Sequence, residues 1–452
     1  MKRSLFIILI VTLMWPAGLL ADGGYISPKA PQAFQLTPKP LPLTLADCYR
    51  LSLKQSELIA VDYQKIVETE GRLLQALAIG LPNVSFVSTD TQEEPQKGGA
   101  TSTSGTLTST SLNPSKDSVR YFHLRQTLFS GFKAFAAMKG AKYEKDQKIN
   151  ERVRAEQLLL VDVANSFFLL EERREDIKAL EGIRNTLSSR IKELNERERL
   201  GRSRQSEVVK AKTDLYSVDA ELELARSQEI TARQVLEFLT GVPVGELLCS
   251  ETCEPADVKS ESYYLAKSLS RSDVIAAMKE WQYYNKRRQV IDSDFLPEVS
   301  FEGNWYTQRT TVSKGVDWDV MLKVDVPIFE GTETLGRSKE ARAQEREKEL
   351  LYQRARRSAP QDVRDAYVKY VAAVSVQKAI RKAFSTAKLN YHLQKRDYEL
   401  SLVSNLDVLD SIKTLHDSER AYIRSLYETK RLYWQLQVAC GETLLDTIYD
   451  TF

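Results

Sequence analysis

His123, His392 and His416 are the only three histidines in a chain of 452 residues, and they fall on different predicted elements. None stands in HExxH or any other metal-ligand spacing. No GxSxG elbow, phosphate-cradling P-loop or dinucleotide fingerprint is present. The residues therefore point to no catalysis, no cofactor and no structural metal. His123 lies on the polar side of a predicted strand and reads as a lining residue. Four cysteines remain: Cys48, Cys249, Cys253 and Cys440. Cys249 and Cys253, in CSETC, are close enough for a local disulfide, while a lone CxxxC lacks the two further ligands that zinc needs. Cys48 and Cys440 read as small buried apolar groups.

The elements that must hold such residues come in two sets. LPNVSF (81–86) recurs as LPEVSF (296–301). LFSGF (128–132) has a counterpart in IFEGT (328–332), GRSRQSEVV (201–209) in SLVSNLDVL (401–409), and LTGVP (239–243) in ACGET (439–443). QSELIAV (55–61) resembles RSDVIAA (271–277). The last three of these segments along the chain recur at an offset of 200 and the two earlier ones at 215 and 216, an order that marks a duplicated structural unit. The first repeat spans 43–243, the second 260–445, with 244–259 as the link. Residues 22–42 form an N-terminal extension and 446–452 a tail. Extra length in the first repeat falls in 91–117, a Ser/Thr/Gly-rich stretch that reads as an exposed loop.

Each repeat changes period in the same order. Residues 44–79 have helical spacing, stopped by Pro82; Pro297 does the same in the second repeat. Alternation follows, clearest over 316–329. There Val316, Trp318, Val320, Leu322, Val324, Val326 and Ile328 share one face, and Asp317, Asp319, Met321, Lys323 and Asp325 most of the other. Its partner at 119–129 places Phe122, Leu124 and Leu128 together. Long helical hairpins then turn near Gly201 and near Ser401. The first arm should reach about 100 Å, and Pro360 should kink or interrupt its counterpart.

Residues 1–21 read as a secretory signal: Lys2 and Arg3, an apolar run, then Leu19-Leu20-Ala21. Removing Lys2 and Arg3 from 64 basic residues leaves a number equal to the 62 acidic ones, which argues against a nucleic-acid binder. No later run is apolar enough for a spanning helix, but alternating strands suit an outer-membrane barrel. Four strands cannot close one, and an open sheet edge cannot sit in lipid, so the chain must oligomerise. A soluble periplasmic coiled-coil scaffold with one buried sheet face is the competing reading.

LTLADCYRLSL (43–53), the paired LPxVSF phrases, the LFSG and IFEG turns and the SNLDVLD tip together resemble the outer-membrane efflux protein family, the TolC-like exit ducts. That resemblance implies a mainly α fold with a β-barrel. Three copies would share a twelve-stranded outer-membrane barrel, continuous with a long periplasmic α-helical barrel. It implies a passive, non-enzymatic duct in the outer membrane. A periplasmic adaptor and an inner-membrane pump would be its partners in efflux or type I secretion. It further implies that Asp407 and Asp410 form an acidic ring, with some carboxyl pKa values raised by crowding. Tyr398 and Glu207 would tie neighbouring coils shut. The family's basic partner falls on Val403, so Arg202 or Arg204 is expected to latch Glu207 or Asp407. Gly201 and Ser401 mark the adaptor-contact tips.

Overall fold

The structure is a computed structural model that describes residues 43–92, 116–244, 259–309 and 315–442. The signal segment, the extension, nearly all of the 91–117 loop, Cys249 and Cys253, and the tail lie outside the described residues.

The first repeat runs α1 (Leu45–Gln55), α2 (Glu57–Ala78), β1 (Asn83–Gln92), β2 (Lys116–Ser130), α3 (Lys133–Arg199) and α4 (Gln205–Thr240). The second runs α5 (Glu261–Ser268), α6 (Ser272–Asp292), β3 (Glu298–Arg309), β4 (Trp318–Asp325), α7 (Glu333–Glu399) and α8 (Asn405–Ala439). The order is the same in both. The single helix expected over 44–79 is instead two. Ser56 closes α1 in an extended conformation and its hydroxyl caps α2 at the Ile59 N–H. Thr44 opens α1 through a reciprocal capping box with Asp47.

Each long helix is flanked by two shorter ones placed end to end. α2 and α4 pack on one side of α3, α6 and α8 lie between α3 and α7, and α1 and α5 lie as short extra pieces against this wall. Both 67-residue helices are about 100 Å long. α7 runs unbroken through Pro360. Proline there removes one N–H and so one backbone bond, which the rest of so long a helix offsets.

The duplication extends to close contacts. Gly241 and Gly441 end α4 and α8 with φ of +70° and +87°. A Cβ on Gly241 would collide with Gln55, and one on Gly441 would press on Arg271. Gln55 and Arg271 are the first residues of the two matching phrases. Around the second of these joints, Arg154, Gln157 and Arg271 donate to the carbonyls of Val438, Gly441 and Ala439. They thereby satisfy and electrostatically complement the C-terminus of α8.

The four strands form one antiparallel sheet in the order β1-β2-β3-β4. Its register aligns Val84 with Leu124, Phe86 with Phe122, Phe122 with Trp305, and Trp305 with Trp318. It also aligns Phe301 with Leu322 and Val299 with Val324. One face is thus apolar, and Val84, Phe86, Phe122, Trp305, Trp318, Val320 and Leu322 on it are all exposed. On the opposite face His123 Nδ1 lies 2.8 Å from Asn304 Oδ1, and Asn304 donates to Asp319 at 2.7 Å. His123 does stand on the polar face, as its sequence position implies. β4 is shorter than the alternation predicts. Pro327 offers no ladder N–H, and β3 begins at Glu298 opposite Asp325, leaving 326–329 without a partner strand.

Candidate functional site

At the far end of both hairpins the chain makes the same turn. Gly201 and Ser401 take left-handed φ of +66° and +61°. Arg202 N–H donates to Arg197 O at 2.7 Å and Leu402 N–H to Asp397 O at 2.9 Å. Ser401 holds this conformation without being glycine, at a cost of about 1–2 kcal/mol.

The tip carboxylates differ from one another. Asp407 is the third residue of α8 and completes a capping box. Ser404 donates to it from its hydroxyl at 2.6 Å and from its backbone N–H at 2.8 Å. These bonds hold the Asp407 carboxyl below the usual carboxylate range. Within one chain this is opposite to the rise expected from crowded acids, because the cap stabilises the charged form. Asp410 is exposed, one helical turn on from Asp407.

The expected arginine latch does not form within one chain. Among the described residues neither Arg202 nor Arg204 forms an ion pair with Glu207 or Asp407; Glu207 instead accepts from Ser203 Oγ at 2.8 Å. Tyr398 is 7% exposed and its ring lies within cation–π reach of two guanidinium groups of α3. Arg190 Cζ is 3.8 Å from the ring centroid and Arg197 Cζ is 4.4 Å away. Arg190 also donates to Asn405 Oδ1 at 2.9 Å and to Glu193 at 2.7 Å. The basic partner of Tyr398 is therefore supplied by the other hairpin of the same chain, through Arg190 and Arg197. Val403, where a basic residue was sought, packs against the apolar cluster of the tips. Arg190 and Asn405 were missed by sequence reasoning. The available signal was the seven-residue spacing of Arg190 and Arg197, which puts both on one helix face. Cation–π contacts of this burial contribute about 2 kcal/mol.

Further from the tips, α3 and α8 run antiparallel along a polar seam. Arg420 grips Asp176 with two donors, at 2.6 and 2.9 Å, and extends its third to Glu221 of α4. Arg431 donates to Glu172 at 2.8 Å. Asp176 is 1% exposed, so its charge depends on Arg420. His416 lies beside this pair, 6% exposed, and among the described residues neither ring nitrogen finds a hydrogen-bond partner. Its Nε2 is 3.9 Å from Glu221. Burial first, and the Arg420 charge second, push the imidazole pKa down. The unfolded chain therefore takes up the proton more readily than the folded one. Stability is full above the ordinary histidine value of about 6.5 and falls as pH drops below it. His416→Asn should flatten that acid-side decline in the unfolding temperature, measured in detergent across the range.

Cys48 and Cys440 are both buried, Cys48 in the cluster around Phe167 and Trp434, Cys440 beside Tyr370. Burial pushes the Cys440 thiol up to about 12. Among the described residues no group of three His, Cys, Asp or Glu is arranged to hold a metal ion, and no helix is long and apolar enough to cross a membrane.

The family profile for outer membrane efflux proteins matches residues 81–242 and 266–442. The chain is 19% identical to the outer membrane protein TolC of Vibrio cholerae over 324 residues, 68% of this chain and 73% of that protein. The crystal structure of the outer membrane protein VceC from Vibrio cholerae superposes with a TM-score of 0.74 at 18% identity, covering 88% of this chain and 96% of VceC. The channel CusC superposes with a TM-score of 0.77 at 14% identity, covering 92% of this chain and 97% of CusC. At these identities the superpositions speak for the fold.

Proposed function

Because the chain belongs to the outer membrane efflux protein family, we propose that it is the outer-membrane exit duct of a tripartite efflux or type I secretion system. The observation that carries this is the sheet. It presents an exposed apolar face, a hydrogen-bonded polar face, and two edges, β1 and β4, that have no partner strand among the described residues. In lipid such edges must be paired. Three copies would give twelve strands, an even number within the range of outer-membrane barrels. The helical wall favours the same closure. Leu58, Leu74 and Phe238 stand exposed on its α2/α4 edge, and Val368 and Leu389 on α7 at the other. A soluble scaffold would leave Trp318, Val320 and Leu322 bare to water.

The duct is passive, and its driving energy comes from an inner-membrane pump joined through a periplasmic adaptor. The turns at Gly201 and Ser401 are the adaptor-contact points. Asp407 and Asp410, repeated around a threefold axis, would gather six carboxylates at the tips, attract cations and repel anions. Glu207 adds to that acidic rim. The Arg190–Tyr398–Arg197 stack locks the second hairpin to the first and so holds the tips together. Tyr398→Leu removes the stack without removing a charge, and should raise single-channel conductance several-fold.

Fractionation tests the reading as a whole. The protein should sediment with outer membranes and give a cross-linked ladder ending at three copies. A soluble periplasmic monomer would refute it.

A further inference from the structure

One row of the sheet is aromatic from edge to edge. Phe86 of β1 pairs with Phe122 of β2, Phe122 with Trp305 of β3, and Trp305 with Trp318 of β4. All four rings are exposed on the apolar face, and those of Phe86 and Phe122 stand 5.2 Å apart. α2 leads into β1 and β2 runs on into α3, so the helices leave from one end of the sheet. From that end up to the row, the face carries Val84, Leu124, Phe301, Val320 and Leu322 and no charged side chain. Aromatic side chains gather where acyl chains give way to headgroups. The row therefore marks the headgroup level at the end of the sheet away from the helices.

The next row out is polar. The unbroken β1–β2 register puts Arg120 on the face of Phe122, two residues and about 7 Å further along the strand. Ser88 lies opposite it on β1 and Gln308 opposite it on β3, both exposed. Gln308 stands there because the β2–β3 register slips between Arg120 and Tyr121, with Thr307 as the additional residue. The Thr307 hydroxyl donates to Arg120 O at 3.1 Å. Strict alternation from Trp305 would have turned Gln308 to the other face. Arg120 is the first cation met on the apolar side. Its one ion pair among the described residues, with Asp90, spans 4.0 Å, too long for a hydrogen bond. An exposed pair of that length contributes little. Asp90 lies a further row out, and its other oxygen accepts from Ser118 Oγ at 2.6 Å.

We propose that the row Ser88–Arg120–Gln308 binds a phosphate of the phosphorylated glycolipid in the outer leaflet, with the aromatic row beneath it packed on the acyl chains. This rests on the reading of the sheet as part of an outer-membrane barrel. A guanidinium matches a phosphate with two parallel N–H bonds, and the hydroxyl and amide on either side add donors. A phosphate approaching from the lipid side meets Arg120 before Asp90.

The test is native mass spectrometry of the full-length, detergent-purified oligomer titrated with bisphosphorylated lipid A. The unaltered oligomer should bind it, and Arg120→Gln should weaken binding about tenfold or more. Lipid A stripped of its phosphates should bind the unaltered oligomer no better than intact lipid A binds that variant. Arg125→Gln removes a cation from the opposite face and should bind like the unaltered protein. Asp90→Asn should not weaken binding. Equal binding to Arg120→Gln and to the unaltered protein overturns the proposal. So does a matching loss in Arg125→Gln, which would mark net charge, or in Asp90→Asn, which would mark the ion pair. Competition by inorganic phosphate at the lipid's own concentration overturns it too, since that marks a site for any free anion. Each comparison is made on oligomers that resist heat dissociation. An unaltered chain that never forms one refutes the barrel, and the headgroup site with it.

Discussion

Arg420→Met should lower the free energy of unfolding of the helical region by about 3–5 kcal/mol. The reason is the burial of Asp176, which is 1% exposed and receives two charge-assisted bonds from Arg420 at 2.6 and 2.9 Å. Removing the guanidinium leaves that carboxylate uncompensated between α3, α4 and α8, and also releases Glu221. A denaturant titration followed by helical circular dichroism reads the loss. The double variant Asp176→Asn with Arg420→Met should recover a large part of it, because a neutral buried pair avoids the stranded charge. A single variant as stable as the unaltered protein would mean that the seam does not bear on the hairpins' alignment.

Val320→Arg is the second large effect. Val320 lies on the apolar face of the sheet, opposite Gly303 and between Trp318 and Leu322. A charged side chain at a lipid-facing midplane position costs about 2–4 kcal/mol per chain, and in a trimer the cost falls three times. Lys323→Arg, on the polar face opposite Ser300, should cost little. The readout is the fraction of protein recovered from outer membranes as heat-resistant oligomer. It should drop sharply for Val320→Arg and stay near normal for Lys323→Arg. Equal recovery of both would place lipid on neither face.

Much of this architecture is legible in the sequence because its periods are physical. Alternation over Trp318 to Asp325 fixes which face each side chain takes, and the observed register pairs Trp305 with Trp318 and Phe301 with Leu322 on the apolar side. Repeated phrases locate both tip turns to the residue, since Gly201 and Ser401 hold matching left-handed conformations. Other features depend on what lies across space. The break at Ser56 is hidden because Leu51 and Leu58 keep helical spacing through it. Nothing in 316–329 says that β3 starts at Glu298, so only Pro327 hints in the sequence that the strand stops short of Phe329. The cation–π partners of Tyr398 lie outside the tip arginines that adjacency in sequence singles out. Arg190 lies well up α3 and reaches Tyr398 only because the two hairpins pack side by side. The seam of Asp176 with Arg420 likewise joins residues 244 positions apart.

Planar-bilayer recording of the purified oligomer tests the proposed duct most directly. The unaltered protein should insert as a small, cation-preferring channel that multivalent cations block from the tip side. Asp407→Ala with Asp410→Ala should reduce that preference and abolish the block while leaving the channel open. Failure of the pure oligomer to conduct would contradict an exit duct. A double variant that keeps both its selectivity and its block would contradict the acidic ring at the tips.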